Sequence, residues 1–159
     1  MFFPEMRKRI EVASMVEHMT GGCICGDVRF SAVPKSMEMG ACHCSLCRRW
    51  SGGAGFLGVE CGTSVKVENE AALGVYPSSE YGERVFCKTC GSTLFWRMQD
   101  GSDTVVSSQA FDDADAFRFV SEIFVDEKPD NYAFANDTKK MTSAEFFAAY
   151  ASEQGHQHD

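Results

Sequence analysis

The chain has 159 residues, 44% hydrophobic and 24% charged, which suits one domain with a buried core and excludes wholesale disorder. Its formal net charge of −8 repels a phosphate backbone, and the short basic runs Arg7-Lys8-Arg9, Arg48-Arg49 and Lys139-Lys140 make no stripe, so no nucleic-acid partner is expected. No stretch approaches the roughly 18 consecutive apolar residues of a membrane span, so no membrane partner is expected either.

Residues 1–19 read as an N-terminal extension. They carry charges through their middle and no apolar core of signal-peptide length, and Glu5, Glu11 and Glu17 run against a transit peptide. The loosely helical spacing of Ile10, Val12, Met15, Val16 and Met19 predicts a short helix or a frayed segment. The alternative is a natural start at Met15 or Met19. A cytoplasmic location is expected, and a reducing compartment turns the eight cysteines into metal ligands or catalytic thiols before disulfides.

From Thr20 onward the pattern is β-rich. Short runs with β-branched or aromatic residues predict strands over 27–33, 53–60, 64–68, 83–86, 92–98, 103–109 and 119–125, each bounded by turn residues. Their number and spacing predict a mainly β domain over 20–153, a sandwich or folded-over sheet. A single helix is predicted over 141–153, capped by Thr142 or Ser143, with Phe146, Phe147 and Tyr150 on its apolar face. The tail 154–159 is expected to be disordered, its His-Gln-His solvated rather than metal-binding.

Seven cysteines fall into three clusters: Cys23-Ile24-Cys25, Cys42-His43-Cys44-Ser45-Leu46-Cys47 and Cys87-Lys88-Thr89-Cys90. Thiols one or two residues apart supply convergent soft donors, as tetrahedral Zn²⁺ requires. Gly26 and Gly91 each follow a second cysteine, where a positive φ turns the backbone and aims N–H groups at the sulfurs. These two alike knuckles pair into a closed set of Cys23, Cys25, Cys87 and Cys90, which should be structural. Cys42, Cys44 and Cys47 remain as a three-thiol set with a position left over, the pattern of a catalytic zinc. Two zinc ions per chain are therefore expected.

Two residues can close the second set. His43 is one, although in an extended Cys-X-Cys the middle side chain points away from the face of its neighbours, which favours a role beside the metal. By the same logic Ile24 should sit off its own site in apolar surroundings. Cys61 is the other candidate, and a small buried hydrophobe is its plainer reading. Arg48, Arg49 and Lys88 flank the clusters as surface charges or as cations that balance thiolates and attract an acidic ligand, with Arg48 the preferred catalytic candidate.

GGCICGDVRFSA (21–32), ACHCSLCRRWSGGAGF (41–56), RVFCKTCGSTLFWR (84–97) and SEIFVDEKPDNYAF (121–134) resemble, in order and spacing, the glutathione-dependent formaldehyde-activating enzyme family, which includes centromere protein V. The chain departs from that pattern at Asn131, where relatives often carry tryptophan. The resemblance implies a mostly β, zinc-stabilised fold shared with a small accessory protein of Rab GTPases. It implies a structural zinc on Cys23, Cys25, Cys87 and Cys90 and a catalytic one on Cys42, Cys44 and Cys47. The implied activity is that of a carbon–sulfur lyase, joining a thiol such as glutathione to an aldehyde, as in S-hydroxymethylglutathione formation. The alternatives are a non-catalytic zinc module that docks on a protein, and a thiol redox protein using Cys87 and Cys90, which lack the βαβ surroundings of such motifs.

Overall fold

Short strands dominate because the chain alternates apolar and polar residues for only four to six positions before Gly, Asp or Ser breaks the run. The computed structural model describes residues 18–156, so the expectations for residues 1–17 and for the end of the tail lie outside it. Two units divide the chain, one of 18–37 and 59–118, the other of 38–58 and 119–156. No helix among the described residues is long and apolar enough to cross a membrane.

In the first unit, β1 (Met19–Gly22), β2 (Arg29–Ala32) and β5 (Lys66–Val67) form a small antiparallel sheet with β2 in the middle. The strands β6 (Leu73–Tyr76), β7 (Gly82–Cys87), β8 (Thr93–Met98) and β9 (Thr104–Ser107) make an antiparallel meander in the order β9-β8-β7-β6. The inward residues Val28, Phe30, Val85, Leu94, Phe95, Val106 and Phe111 are buried. Phe30 lies edge-on to Phe95 at 5.2 Å and to Phe111 at 5.5 Å, the geometry that ring quadrupoles favour.

In the second unit, β3 (Glu38–Cys42) pairs antiparallel with β4 (Phe56–Glu60), and β10 (Arg118–Ile123) pairs parallel with β11 (Lys139–Met141), in the order β11-β10-β3-β4. A seven-residue helix, α1 (Ser45–Ser51), stands between β3 and β4. The helix α2 (Ser143–His156) starts within the predicted span and runs past its end. Thr142 Oγ1 accepts the Glu145 N–H at 3.2 Å and donates to the Glu145 carboxylate at 3.1 Å, which caps the helix. Phe146 packs on Phe124 at 5.5 Å.

The fold is mainly β with a C-terminal helix, as the sequence predicts, but several elements differ. The runs predicted over 53–60, 64–68 and 103–109 shorten to β4, β5 and β9: bends at Gly53 to Gly55 delay the first, and a 3-10 turn over Ser108–Ala110 ends the last. The strands β1, β3, β6 and β11 and the helix α1 were not predicted. MTGG, EMGAC and KKM hold few or no β-branched residues and owe their strand form to their partners.

Candidate metal centres

The first unit gathers Cys23, Cys25, Cys87 and Cys90, with all four sulfurs within 4.8 Å of one another. Strand ends place them: β1 and β7 stop at the two knuckles, and Cys23 N–H donates to Val28 O at 3.1 Å as Cys87 N–H does to Ser92 O at 3.1 Å. Gly26 takes φ 85° and Gly91 φ 77°, the positive values that a turn directly after each cysteine pair requires. Val28 N–H points at Cys23 Sγ at 3.3 Å, and the Ser92 hydroxyl lies 3.1 Å from Cys90 Sγ. The same hydroxyl accepts the Ile24 N–H at 3.1 Å, which ties one knuckle to the other.

These cysteines are free. The Cys23–Cys25 and Cys25–Cys87 sulfur separations of 3.6 and 3.7 Å match the edge, about 3.8 Å, of a tetrahedron with Zn–S bonds of about 2.3 Å. Charge points the same way. The Ser92 side chain and backbone pull Cys90 down to about 5. At Cys25 the Asp27 backbone N–H acts downward, yet burial and the thiols of Cys23, Cys87 and Cys90 outweigh it and push the group up to about 12. Four sulfurs this close cannot all ionise without a cation among them, so the donor set fits a divalent soft metal.

The second unit gathers Cys42, Cys44 and Cys47 under the same distance limit. Cys42 ends β3, Cys44 is the extended N-cap of α1 with φ −63° and ψ 157°, and Cys47 is buried one turn into that helix. The Cys44 sulfur accepts the Cys47 N–H at 3.4 Å, so a thiol occupies the place usually held by Ser or Asp. Hydrogen bonding to Cys44 and Cys47, then burial, drives the Cys42 thiol far upward, so the three sulfurs could ionise together only with a cation among them.

His43 is not part of this group. Its ring is wholly buried, with Nε2 2.7 Å from Glu122 Oε1 and Nδ1 2.8 Å from the Tyr132 hydroxyl. Cys61 is buried in the first unit, its thiol 3.6 Å from Val59 O. Burial, then the charges of Asp103 and Glu60, push it up to about 12, which makes it an unreactive small hydrophobe. Arg48 does not extend freely into solvent: its Nε donates to His43 O at 2.9 Å and its Nη2 to Glu127 O at 3.3 Å. Arg49 is exposed, and Lys88 is exposed with its Nζ 3.2 Å from Ala71 O. Ile24 is off the thiols but 89% exposed, so its expected apolar surroundings are absent; the knuckle tip projects into water. An open cleft of about 340 Å³ in the first unit, beside Glu83, Arg97 and Asp100, is lined by none of the clustered cysteines.

The family model described as glutathione-dependent formaldehyde-activating enzyme matches residues 18–127, a span that holds both cysteine groups. The chain belongs to that family of enzymes. Among relatives of this glutathione-dependent formaldehyde-activating enzyme family member, an uncharacterized lyase of Schizosaccharomyces pombe is 32% identical over 123 residues, 77% of this chain and 89% of the relative. A Halomonas elongata protein, provisionally named a glutathione-dependent formaldehyde-activating enzyme, is 35% identical over 86 residues, 48% of this chain and 54% of its own. A crystal structure of a Rhodobacter sphaeroides protein superposes with a TM-score of 0.52 at 21% identity, over 60% of this chain and 89% of that one, a likeness of fold.

Two partners of the His43 ring were missed in the sequence, Glu122 and Tyr132. Glu122 stood in plain view as the one acid inside the apolar run FVSEIFV, where a carboxylate must find partners to be buried. Tyr132 carried no such signal.

Proposed function

We propose that this protein is a cytoplasmic, zinc-dependent carbon–sulfur lyase that joins a thiol to an aldehyde, with glutathione and formaldehyde as the expected pair. The observation that carries this reading is the trio of thiols at Cys42, Cys44 and Cys47, beside which the adjacent imidazole is already committed to Glu122 and Tyr132. Cys23, Cys25, Cys87 and Cys90 would hold a structural zinc and the trio a catalytic one, two ions per chain. A zinc held by three thiolates supplies Lewis-acid character and lowers the pKa of a bound thiol or hydrate at its fourth position.

The chain's own residues supply the rest. Cys42, Cys44 and Cys47 fix the place of reaction, at a strand end and the first turn of α1. Arg48 follows Cys47 directly and its guanidinium, held to the carbonyls of His43 and Glu127, brings a permanent positive charge to the backbone between Cys42 and Cys44, to which a substrate carboxylate would be drawn. In the addition, one C–S bond forms, the carbonyl π bond opens, and the thiol proton ends on the former carbonyl oxygen. No oxidant or reductant is needed. The reverse reaction breaks the same C–S bond.

Thiols add to formaldehyde unaided, so the test is a rate measured against the enzyme-free reaction with glutathione and with several other thiols. The expected result is acceleration that disappears in Cys44→Ala. A rate equal to the enzyme-free control with every thiol overturns the assignment.

A further inference from the structure

His43 lies between two of the three thiols and is held at every polar atom it has. Its backbone N–H donates to Ile123 O at 3.0 Å and its carbonyl accepts from Arg48 Nε at 2.9 Å. Its ring nitrogens meet Glu122 at 2.7 Å and Tyr132 at 2.8 Å. The Tyr132 and Phe134 rings lie 5.6 and 5.7 Å from the imidazole centroid. On the far side of the carboxylate, Thr138 Oγ1 donates to Glu122 Oε2, and Lys140 Nζ stands 3.5 Å from the same oxygen.

Stability alone does not account for this arrangement. Glu122 is 2% exposed and His43 wholly buried, and a buried polar pair of this kind recovers little more than the cost of its desolvation; apolar residues of similar volume often serve a core as well or better. What a fully satisfied buried network does supply is a single geometry. Burial pushes the Glu122 carboxyl up, but the Thr138 and His43 hydrogen bonds and the Lys140 charge outweigh it and hold the group below its usual range. As an anion Glu122 accepts from Nε2–H, and the Tyr132 hydroxyl, which can donate or accept, meets Nδ1 on the other edge of the ring.

We propose that Glu122 and Tyr132 are positioning residues that clamp the His43 ring from behind and thereby fix the direction of the Cys42 and Cys44 thiols in front. The proposal rests on the reading of the cysteine trio as a metal centre. The lever is the extended backbone. Cys42 ends a strand and Cys44 is still extended, so the middle side chain projects opposite its two neighbours. Any rotation of His43 about the chain must swing both sulfurs. The turn at Gly55 closes the remaining freedom, since a Cβ there would lie 2.6 Å from Cys42 O and 3.4 Å from His43 Nδ1.

The test is a Co²⁺ titration of the metal-free full-length chain, read by the visible d–d bands. The trio's bands are identified as those absent in Cys44→Ala. Tyr132→Phe and Glu122→Gln are expected to keep the four-thiol bands unchanged while the trio's bands shift or lose intensity and its affinity falls about tenfold or more, the usual effect of removing a partner that orients a ligand. Trio bands and affinity equal to wild type in both variants overturn the clamp. Uptake of only one equivalent by the wild type overturns the metal-centre reading itself, and the clamp with it. If Glu122→Gln fails to fold and loses the four-thiol bands too, Tyr132→Phe, which removes a single hydroxyl, decides alone.

Discussion

The two cysteine groups use the same donor atom and are held by opposite means. The four-thiol group is built by a pair of knuckles that grip each other: Gly-ended turns, N–H···S contacts and one serine bridging to the Ile24 amide. Its chain support is local and much of it is exposed, with Cys25 open to water and Ile24 beyond it. The three-thiol group comes from a single stretch of six residues and offers three sulfurs, and the histidine within that stretch is buried and held by Glu122 and Tyr132 from further along the chain. A site whose ligands complete the ion's shell needs little scaffolding, because the ion itself orders them. A site meant to keep a position free cannot rely on the ion and must be preorganised by the protein.

The largest effect expected from this contrast is on stability. Cys87→Ala removes a wholly buried member of the four-thiol group at the end of β7 and should destabilise the protein by roughly 4 kcal/mol, the scale that follows loss of a structural metal. Cys44→Ala should cost only about 1 kcal/mol, mainly the lost cap on the Cys47 N–H. Denaturant midpoints of the zinc-loaded variants measure both. Equal losses would break the comparison, for then the trio would be a structural site as well, as a non-catalytic zinc module requires.

A smaller pair of changes separates the two kinds of support. Gly91 takes φ 77° with nothing within 4 Å of where a Cβ would stand, so Gly91→Ala meets only the left-handed strain, about 1 kcal/mol. Gly55 takes φ 83°, and its Cβ would strike the Cys42 carbonyl, which is backbone and cannot step aside. Gly55→Ala should therefore cost about 3 kcal/mol, strain and overpacking together. It should weaken metal binding at the trio alone, whereas Gly91→Ala acts on the four-thiol group. Denaturation midpoints and metal affinities for each site, taken together, check the pair.

Which of these features could be read from residues alone follows from how far each interaction reaches along the chain. The thiol clusters, the glycine after each knuckle and the cap at Thr142 are written within a few positions, and spacing exposes them. The strands β7 and β8 are legible for the same reason, through Val85-Phe86 and Leu94-Phe95-Trp96. The strand that delivers Cys42 is not, because EMGAC has no β propensity of its own and is made a strand by β4. The partners of His43 lie 79 and 89 residues further along the chain. Strand geometry could say that the imidazole turns away from the sulfurs, but only the folded sheet says what it turns toward.

The smallest expected effect concerns the frame of the four-thiol group and has a pH signature. Arg29, one residue beyond the Val28 amide that points at Cys23, holds Asp112 through two hydrogen bonds of 2.9 and 2.6 Å, and the Thr20 hydroxyl adds a third at 2.7 Å. The Arg29 and Thr20 hydrogen bonds pull the Asp112 carboxyl down from 3.8 to about 2. A carboxylate whose pKa is lower in the folded state contributes stability that is fully present above its unfolded value and is lost as the pH falls toward the folded one. The window is therefore pH 4 down to pH 2. Both side chains are 40–50% exposed, so solvent screening keeps the contribution below about 1 kcal/mol. Asp112→Asn should be slightly less stable than wild type at pH 6 and approach it as the pH falls through 3. Thiol protonation also acts at low pH, but both proteins carry the same cysteines, and the difference between their urea midpoints isolates Asp112. A difference that stays constant down to pH 2 would mean that the Asp112 charge contributes no stability and that only the shape of its side chain matters there.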